Sequence, residues 1–412
     1  MFSEPSFLIQ SGYQARKRIK KAVGGNYVDG VVLSPSDYVL EANKGLANDL
    51  RSNNLVTLFD PQLYLPDQGD RPKLNEYDYH DQYGGEAWDS SIVNDPDELD
   101  DFFSSLVTLQ DDELSCSGYI SPAPYMPSLS EDEIQYWKLI SEKFIKKVGE
   151  DGEDKPLYIT IAVSGDQLTN SSMRSQLLDA ATGLDVDGFY VSVMYENDER
   201  LPLQGLDNVK SYLELMMKLK ANRYEVIAAY THQISHLLYA VNVDAVASGH
   251  FKNLRAFDVD RWIVPDDPPP RRRVVRYYSD NLLCSLRPDG LLNELDVDSE
   301  FDVSDLRNSS PYEEDLFGAS VDIEAAGWSY NDGSWEHYLW SCHNIAEQYR
   351  GQSIDDRTEY ARDKVRRGKA LQRQINAVIE GNTDEINPDF YDDWDAALSY
   401  IESMQEFERV RR

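Results

Sequence analysis

Several residues that could do chemistry stand immediately after short apolar runs. Asp60 follows the run 55–59, LVTLF, and Ser248 and His250 follow the run 243–247, VDAVA. A carboxylate at the end of a buried strand is either desolvated and useful in chemistry, or it caps the next turn with its own backbone. Both interpretations of Asp60 stay open. Ser248 would need an activating base to be a nucleophile, and the sequence shows no acidic partner for His250.

The spacing of the histidines, glycines and cysteines gives little support for a metal or cofactor site. His232 and His236 are four residues apart and would share a helix face, but no glutamate stands between them in the register of a zinc-protease helix. The glycines form neither a nucleotide phosphate loop nor a dinucleotide-binding loop. Three distant cysteines, Cys116, Cys284 and Cys342, indicate no disulfide framework. We therefore expect no metal and no cofactor.

The stretch 223–255 predicts how these residues are positioned. Residues 225–230 form a short apolar and aromatic strand, and a helix follows with one apolar stripe. The hydroxyl of Thr231 could cap that helix. Residues 243–247 form the next strand. A strand, a crossover helix and a second strand make a right-handed parallel unit, whose strand ends carry the chemistry of barrel enzymes. Tyr230, Thr231, Ser248 and His250 are therefore expected at one mouth.

Six further apolar runs resemble strands, and most of the eight are followed by helix-compatible segments. This alternation predicts an α/β fold, a closed (β/α)8 TIM barrel rather than an open sheet. A helix over 130–148 begins with a capping box formed by Ser130 and Glu133. A proline-rich break follows Trp262. We expect a barrel over residues 1–264, with an acidic insertion at about 65–113, and a mostly helical C-terminal extension over 265–412.

The 412-residue chain carries 74 acidic and 40 basic residues, a net charge of −34. This charge opposes passive binding to nucleic acid or anionic membranes over most of the surface. It fits either a halophilic host or a basic partner. Basic stretches run from Arg16 to Lys21, from Arg271 to Arg276 and from Arg362 to Arg373; they could contact phosphates or pair with the chain's own acids. With neither a membrane-length apolar run nor a secretory leader, a cytoplasmic protein is expected.

Several short motifs occur in the order and at spacings compatible with those of one family. Over residues 5–260 the chain resembles the tRNA-guanine transglycosylases. The motifs that carry the resemblance are Leu58-Phe59-Asp60, Ala162-Val163-Ser164-Gly165, Asp187-Gly188-Phe189-Tyr190, Arg223-Tyr224, Tyr230-Thr231, the helix with Leu237-Leu238, and Val243-Asp244.

The resemblance implies a barrel that holds a guanine or 7-deazaguanine base at its C-terminal mouth. Asp60 matches the aspartate that recognises the base and shuttles a proton. Ser164 and Gly165 match the base-binding turn, and Tyr230, Thr231 and His250 would line the mouth. The position of the nucleophilic aspartate falls at Ala247 or Ser248, and the zinc site of the family is absent. The chain is most similar to divergent members in 7-deazaguanine DNA modification and antiviral defence.

Three functions remain open. The first is base binding or exchange on nucleic acid or another macromolecule, with nucleic acid contacted from Arg16 to Lys21 and from Arg271 to Arg276. The second is a catalytically inactive barrel that binds protein partners from the same operon through residues 66–96 and the C-terminal helices. The third is an unrelated hydrolase in which Asp60 pairs with Glu196 or Asp198 as acid and base.

Overall fold

Parallel β-strands arranged as a barrel organise the chain. The computed structural model describes residues 1–66, 74–77, 79, 90–195, 202–231, 233–263, 275–297, 301–318, 328–329, 333–379 and 389–411. The parallel strands are β1 (Ser6–Gln10), β2 (Gly30–Leu33), β3 (Val56–Phe59), β4 (Tyr119–Ile120), β5 (Tyr125–Met126), β6 (Leu157–Ser164), β7 (Gly188–Met194), β8 (Glu225–Ala229) and β9 (Ala245–Ser248).

The strand order closes the sheet almost completely. Neighbours follow the order β3-β2-β1-β9-β8-β7-β6-β4, and the short β5 also pairs with β6. At the remaining gap, the amide of Ser117 donates to the carbonyl of Thr57 at 2.7 Å, and the amide of Thr57 donates to Ser117 Oγ at 3.0 Å. The predicted TIM barrel with a helical C-terminal segment is therefore confirmed.

Helices cover the outside of the barrel and continue after it. Those of the barrel region are α1 (Arg16–Gly24), α2 (Leu40–Ser52), α3 (Pro96–Thr108), α4 (Glu131–Asp151), α5 (Gly165–Leu168), α6 (Ser171–Thr182), α7 (Leu206–Ala221) and α8 (Ser235–Ala240). The antiparallel strands β10 (Tyr277–Ser279) and β11 (Cys284–Leu286) follow. The last helices are α9 (Asn293–Val297), α10 (Glu314–Phe317), α11 (Ser334–Tyr349), α12 (Ile354–Val378) and α13 (Asp389–Arg411).

Two local predictions about helix starts have opposite outcomes. The capping box of Ser130 and Glu133 is present at the start of α4. The cap by Thr231 is wrong, because α8 begins only at Ser235 and no side chain caps it. Thr231 instead donates its hydroxyl to the carbonyl of Ala247 at 3.3 Å, which ties the end of β8 to β9. Among the described residues, no helix combines the length and apolar composition that a membrane crossing requires.

Side-chain alternation along the strands separates the barrel interior from the helix-facing layer. One buried cluster contains Leu8, Val32 and Leu58, whereas their neighbours Ile9 and Phe59 belong to the cluster under the helices. Successive strand residues point to opposite faces, so the residues two positions after Leu8, Val32 and Leu58 also face inward. Those residues are Gln10, Ser34 and Asp60, and they form a polar layer at the C-terminal mouth.

Gly188, the first residue of β7, allows β7 and β8 to approach closely. A Cβ atom at Gly188 would lie 2.2 Å from the carbonyl oxygen of Glu225, which is backbone and cannot rotate away. We expect Gly188→Ala to lower the free energy of unfolding by about 1–3 kcal/mol, measured in urea. Gly149→Ala in α4, where no atom lies within 4 Å, is the control and should stabilise slightly. Equal stability of the Gly188 variant and the wild type would contradict this prediction.

Candidate functional site

A buried carboxylate at the barrel mouth accepts hydrogen bonds from three tyrosines. Asp60 follows β3 and is 1% exposed. Its Oδ2 accepts from the hydroxyls of Tyr230 at 2.8 Å, Tyr64 at 2.9 Å and Tyr190 at 3.2 Å. Its Oδ1 lies 3.0 Å from the same Tyr64 hydroxyl and accepts from the backbone amide of Gln62 at 2.9 Å. We call these five residues the Asp60 cage.

Burial dominates the electrostatics of the Asp60 cage. Desolvation raises the pKa of Asp60, and the hydrogen bonds, that of Tyr230 first, oppose this only in part. Burial, together with the charge of Asp60, also raises the pKa of the hydroxyls of Tyr64, Tyr190 and Tyr230 well above its usual value. These hydroxyls therefore keep their protons and act as hydrogen-bond donors, while the carboxylate is the acceptor on which they converge.

Two glutamine amides orient the tyrosines. Gln10 donates through Nε2 to the Tyr230 hydroxyl at 2.9 Å, and its Oε1 lies 3.0 Å from the Tyr190 hydroxyl. Gln62 also donates to the Tyr230 hydroxyl, at 3.0 Å, and accepts from Ser34 Oγ at 2.9 Å. Sequence reasoning missed Gln10, although a glutamine inside the apolar strand β1 was a usable signal. It also missed Gln62, for which no comparable signal existed.

Tyr230 reaches the Asp60 cage because of its backbone conformation. Its φ of +50° lies in the left-handed region, which non-glycine residues rarely adopt. Both Ala229 and Tyr230 consequently pack into the barrel interior, although consecutive strand residues would alternate. Backbone strain of this kind persists where the surrounding structure holds it, often at functional sites.

Residues 251–262, the cover segment, close the mouth with aromatic rings. The ring of Tyr64 lies 4.8 Å from those of Phe257 and Trp262, measured between centroids. The guanidinium of Arg261 lies 5.8 Å from the centroid of Tyr230 and forms an ion pair with Asp37. The cover segment therefore screens the carboxylate from water, which strengthens every electrostatic interaction inside the mouth.

The proposed nucleophile position lies away from the Asp60 cage. Ala247 belongs to the barrel interior, so its neighbour Ser248 points to the outer layer. There Ser248 Oγ lies 2.9 Å from the hydroxyl of Tyr338 in α11 and 3.3 Å from the carbonyl of Thr231. The structure does not bring Ser248 and Asp60 together.

The remaining predicted base-binding residues are distributed around the rim. Ser164 is the last residue of β6 and lies on the same inward face as Ala162. Gly165 is the first residue of α5 and lies against the ring of Tyr195. A Cβ atom at Gly165 would lie 2.0 Å from the ring of Tyr195, so a side chain there would displace that ring. Within the described part of the chain, neither residue contributes a hydrogen bond to Asp60.

The histidines have different environments. His250 is 2% exposed, and neither ring nitrogen has a hydrogen-bond partner among the described residues. Burial and then the charges of Arg18, Arg255 and Arg261 lower its pKa well below 6.5. His236 lies 2.7 Å from Asp280 and 2.9 Å from the Tyr349 hydroxyl. The described residues contain no group of three metal-binding side chains.

Some predictions fall on residues outside those described. They concern His232, Glu196 and Asp198, and the stretch from Arg271 to Arg273. The other basic stretches pair with acids: Lys20 with Asp49 at 2.6 Å, Lys21 with Glu336 at 2.6 Å, and Arg362 with Glu402 at 2.9 Å.

Comparison with known proteins identifies no family for this chain. No known family profile and no curated protein matches this chain. It is similar to the endo-1,4-beta-D-xylanase 10B of Clostridium thermocellum, at 10% identity and a TM-score of 0.36, over 60% of this chain and 59% of the xylanase chain. It is also similar to a glycoside hydrolase family 5 mannosidase of Rhizomucor miehei, at 9% identity and a TM-score of 0.38, over 81% of this chain and 87% of the mannosidase. The resemblance to tRNA-guanine transglycosylases stays a prediction.

Proposed function

We propose that this chain is a divergent transglycosylase-like barrel that binds a guanine or 7-deazaguanine base carried by nucleic acid or another macromolecule. The observation that carries the proposal is the Asp60 carboxylate, which directly follows the C-terminal end of β3 and is 1% exposed. A guanine edge presents two adjacent N–H donors, which match the two oxygens of one carboxylate. A buried carboxylate with these partners recognises such an edge strongly, because hydrogen bonds to charged groups are the strong ones.

The tyrosine hydroxyls donate to the same Asp60 carboxylate oxygens that would accept hydrogen bonds from the base. Tyr64 is the one that contacts both carboxylate oxygens, so its hydroxyl is the group that an incoming base replaces. Phe257 and Trp262 lie against Tyr64 and offer aromatic faces on which a bicyclic base can stack. Entry of the base therefore requires the cover segment to move outward.

The proposal extends to base binding more readily than to base exchange, because exchange needs a nucleophile. The interior position nearest the expected nucleophile is Ala247, which cannot form a glycosyl ester, and Ser248 faces α11. The chemistry of the mouth thus fits recognition of a modified base in nucleic-acid modification or antiviral defence.

Calorimetric titration with guanine and 7-deazaguanine tests the proposal. Asp60→Asn keeps the size of the side chain but removes its charge and one acceptor oxygen. We expect about a tenfold to hundredfold loss of affinity, since one hydrogen bond to a charged group contributes about 1.5–3 kcal/mol.

The exposed Asp363 in α12 provides the control, and Asp363→Asn should bind like the wild type. Urea denaturation of each variant verifies that it is folded before titration. Unchanged affinity of Asp60→Asn would remove Asp60 from the site, and a wild-type chain that binds neither base would refute the proposal.

A catalytically inactive, partner-binding barrel is the second candidate function. The hydrogen bond between Ser248 and Tyr338 favours it, because it commits the proposed nucleophile to packing against the C-terminal segment. Deleting residues 66–96 and testing co-purification with products of neighbouring genes examines this candidate. If the wild type co-purifies with these proteins but has no affinity for either base, the second candidate is correct. If Asp60→Asn co-purifies with them but loses the base binding of the wild type, the first candidate is correct.

A further inference from the structure

The buried imidazole of His250 lacks hydrogen-bond partners. The residue is 2% exposed, and neither Nδ1 nor Nε2 has a partner among the described residues. Its ring centroid lies 4.0 Å from that of Phe251. Buried polar groups in folded proteins are nearly always paired, and an unpaired one costs free energy. A ligand that hydrogen-bonds the imidazole would remove this cost.

Positive charge surrounds this imidazole. Arg18, Arg255 and Arg261 all act on His250 electrostatically. Arg255 donates to the backbone carbonyls of Gly249 at 3.1 Å and His250 at 3.0 Å, and its guanidinium lies 3.3 Å from the ring centroid of Tyr338.

The guanidinium of Arg18 is held by aromatic rings, 5.5 Å from the centroid of Phe251 and 5.1 Å from that of Trp335. Asp37 pairs with Arg261 and offsets one of the three charges. Glu336, nearby in α11, pairs with Lys21. Three arginines thus act on His250, in a chain whose net charge is −34.

The segment between β1 and α1 supplies a further donor and a helix dipole. The parallel register that pairs Ile9 with Ser248 places Ser11 level with His250. Ser11 is fully buried, and its Oγ has no partner among the described residues. The helix α1 starts four residues after Gly12, with no side-chain cap and no acidic residue in its first turn. The amide of Arg16 already donates to the hydroxyl of Tyr38 at 2.9 Å, so this end of α1 attracts anions mainly through the helix dipole.

We infer that the rim between β1 and β9 binds a phosphate group through His250, Ser11, Arg18 and the N-terminal end of α1. A phosphate oxygen can accept from the imidazole, from the hydroxyl and from the guanidinium at the same time. We call this the rim site. Its residues differ from those of the Asp60 cage, so phosphate binding at the rim site does not depend on base recognition at Asp60.

Nitrogen-15 resonances of the histidine rings test the inference directly. Inorganic phosphate is titrated into the full chain at constant pH, with sodium chloride adjusted to hold the ionic strength, because salt alone stabilises so acidic a chain. His250→Gln assigns the His250 resonances among those of the six histidines. We expect saturable shifts of the His250 nitrogens only. A wild-type chain in which no histidine ring resonance shifts on addition of phosphate would overturn the inference, whether or not the variants fold.

Matched arginine variants test the charge at the rim site. Arg18→Gln should weaken phosphate binding about tenfold, whereas Arg367→Gln, whose side chain is 77% exposed on α12, should leave it unchanged. An equal effect of both variants would indicate general charge screening and overturn the inference. Asp60→Asn should bind phosphate normally, which separates this inference from the proposed base recognition.

The source of the phosphate is distinguished by three ligands. Inorganic phosphate, a nucleoside monophosphate and a short single-stranded oligonucleotide are compared in the same titration. Tighter binding of the nucleoside monophosphate than of inorganic phosphate assigns the rim site to a nucleotide. Tighter binding of the oligonucleotide assigns it to a nucleic-acid backbone, and equal affinities assign it to free phosphate.

Discussion

Asp280→Asn is expected to lower the free energy of unfolding by about 3–5 kcal/mol. Asp280 is 5% exposed, and its carboxylate joins two side chains: Oδ1 lies 2.7 Å from His236 Nε2, and Oδ2 accepts from Lys364 Nζ at 2.6 Å. Removing the charge leaves Lys364 without its counter-ion at a position only 14% exposed. Urea denaturation of the wild type and the variant measures the difference.

The same ion pair predicts a pH dependence. Burial alone would raise the pKa of Asp280, but the interactions with His236 and Lys364 hold it well below its usual value. A carboxyl group whose pKa is lower in the folded chain stabilises that state above its unfolded pKa of about 3.9, and the stabilisation is lost as the pH falls further. The stability gap between the wild type and Asp280→Asn should therefore narrow as the pH is lowered from 5 towards 2.

A surface aspartate of α12 serves as the control. Asp363 has a side chain that is 54% exposed, and Asp363→Asn should change stability by no more than about 0.5 kcal/mol. If Asp280→Asn proved as stable as Asp363→Asn, the ion pair would contribute nothing and its pH dependence would also be absent.

Trp394→Ala is expected to lower the free energy of unfolding by about 3–5 kcal/mol. Trp394 is fully buried where α13 packs on α7, and its Nε1 donates to the carbonyl of Leu203 at 2.7 Å. Its ring centroid also lies 5.0 Å from that of Phe390. The substitution creates a cavity and leaves the carbonyl of Leu203 unpaired. Chemical denaturation followed by fluorescence and by circular dichroism measures the effect.

Trp394→Phe separates the cavity from the hydrogen bond. It keeps most of the aromatic contact and loses only the indole donor, so the free energy of unfolding is expected to fall by about 1–2 kcal/mol.

The same experiment examines the predicted division at residue 264. One transition, seen identically by both probes, would indicate that the barrel and the C-terminal helices unfold together. Two separated transitions would support independent domains, and an unchanged stability of Trp394→Ala would contradict the packing of α13.

The sequence by itself determined the architecture and the position of Asp60 directly after a strand, but it left the role of Asp60 open. Eight short apolar runs separated by helical segments predict a barrel, because each parallel strand needs a crossover that covers one face of the sheet. The alternation of Leu58, Phe59 and Asp60 places the carboxylate on the same face as Leu58, and the structure identifies that face as the barrel interior. These features depend on local periodicity, and periodicity is contained in the sequence.

Only the tertiary structure decided which side chains meet Asp60 and where Ser248 points. Tyr190 and Tyr230 lie 130 and 170 residues further along the chain, so no local pattern links them to the carboxylate. Tyr230 faces inward through a left-handed backbone, which reverses the expected alternation after Ala229. Ser248 follows the normal alternation and therefore faces Tyr338 instead of the mouth. Strand register and turn conformation arise when the barrel closes, and no single segment encodes that closure.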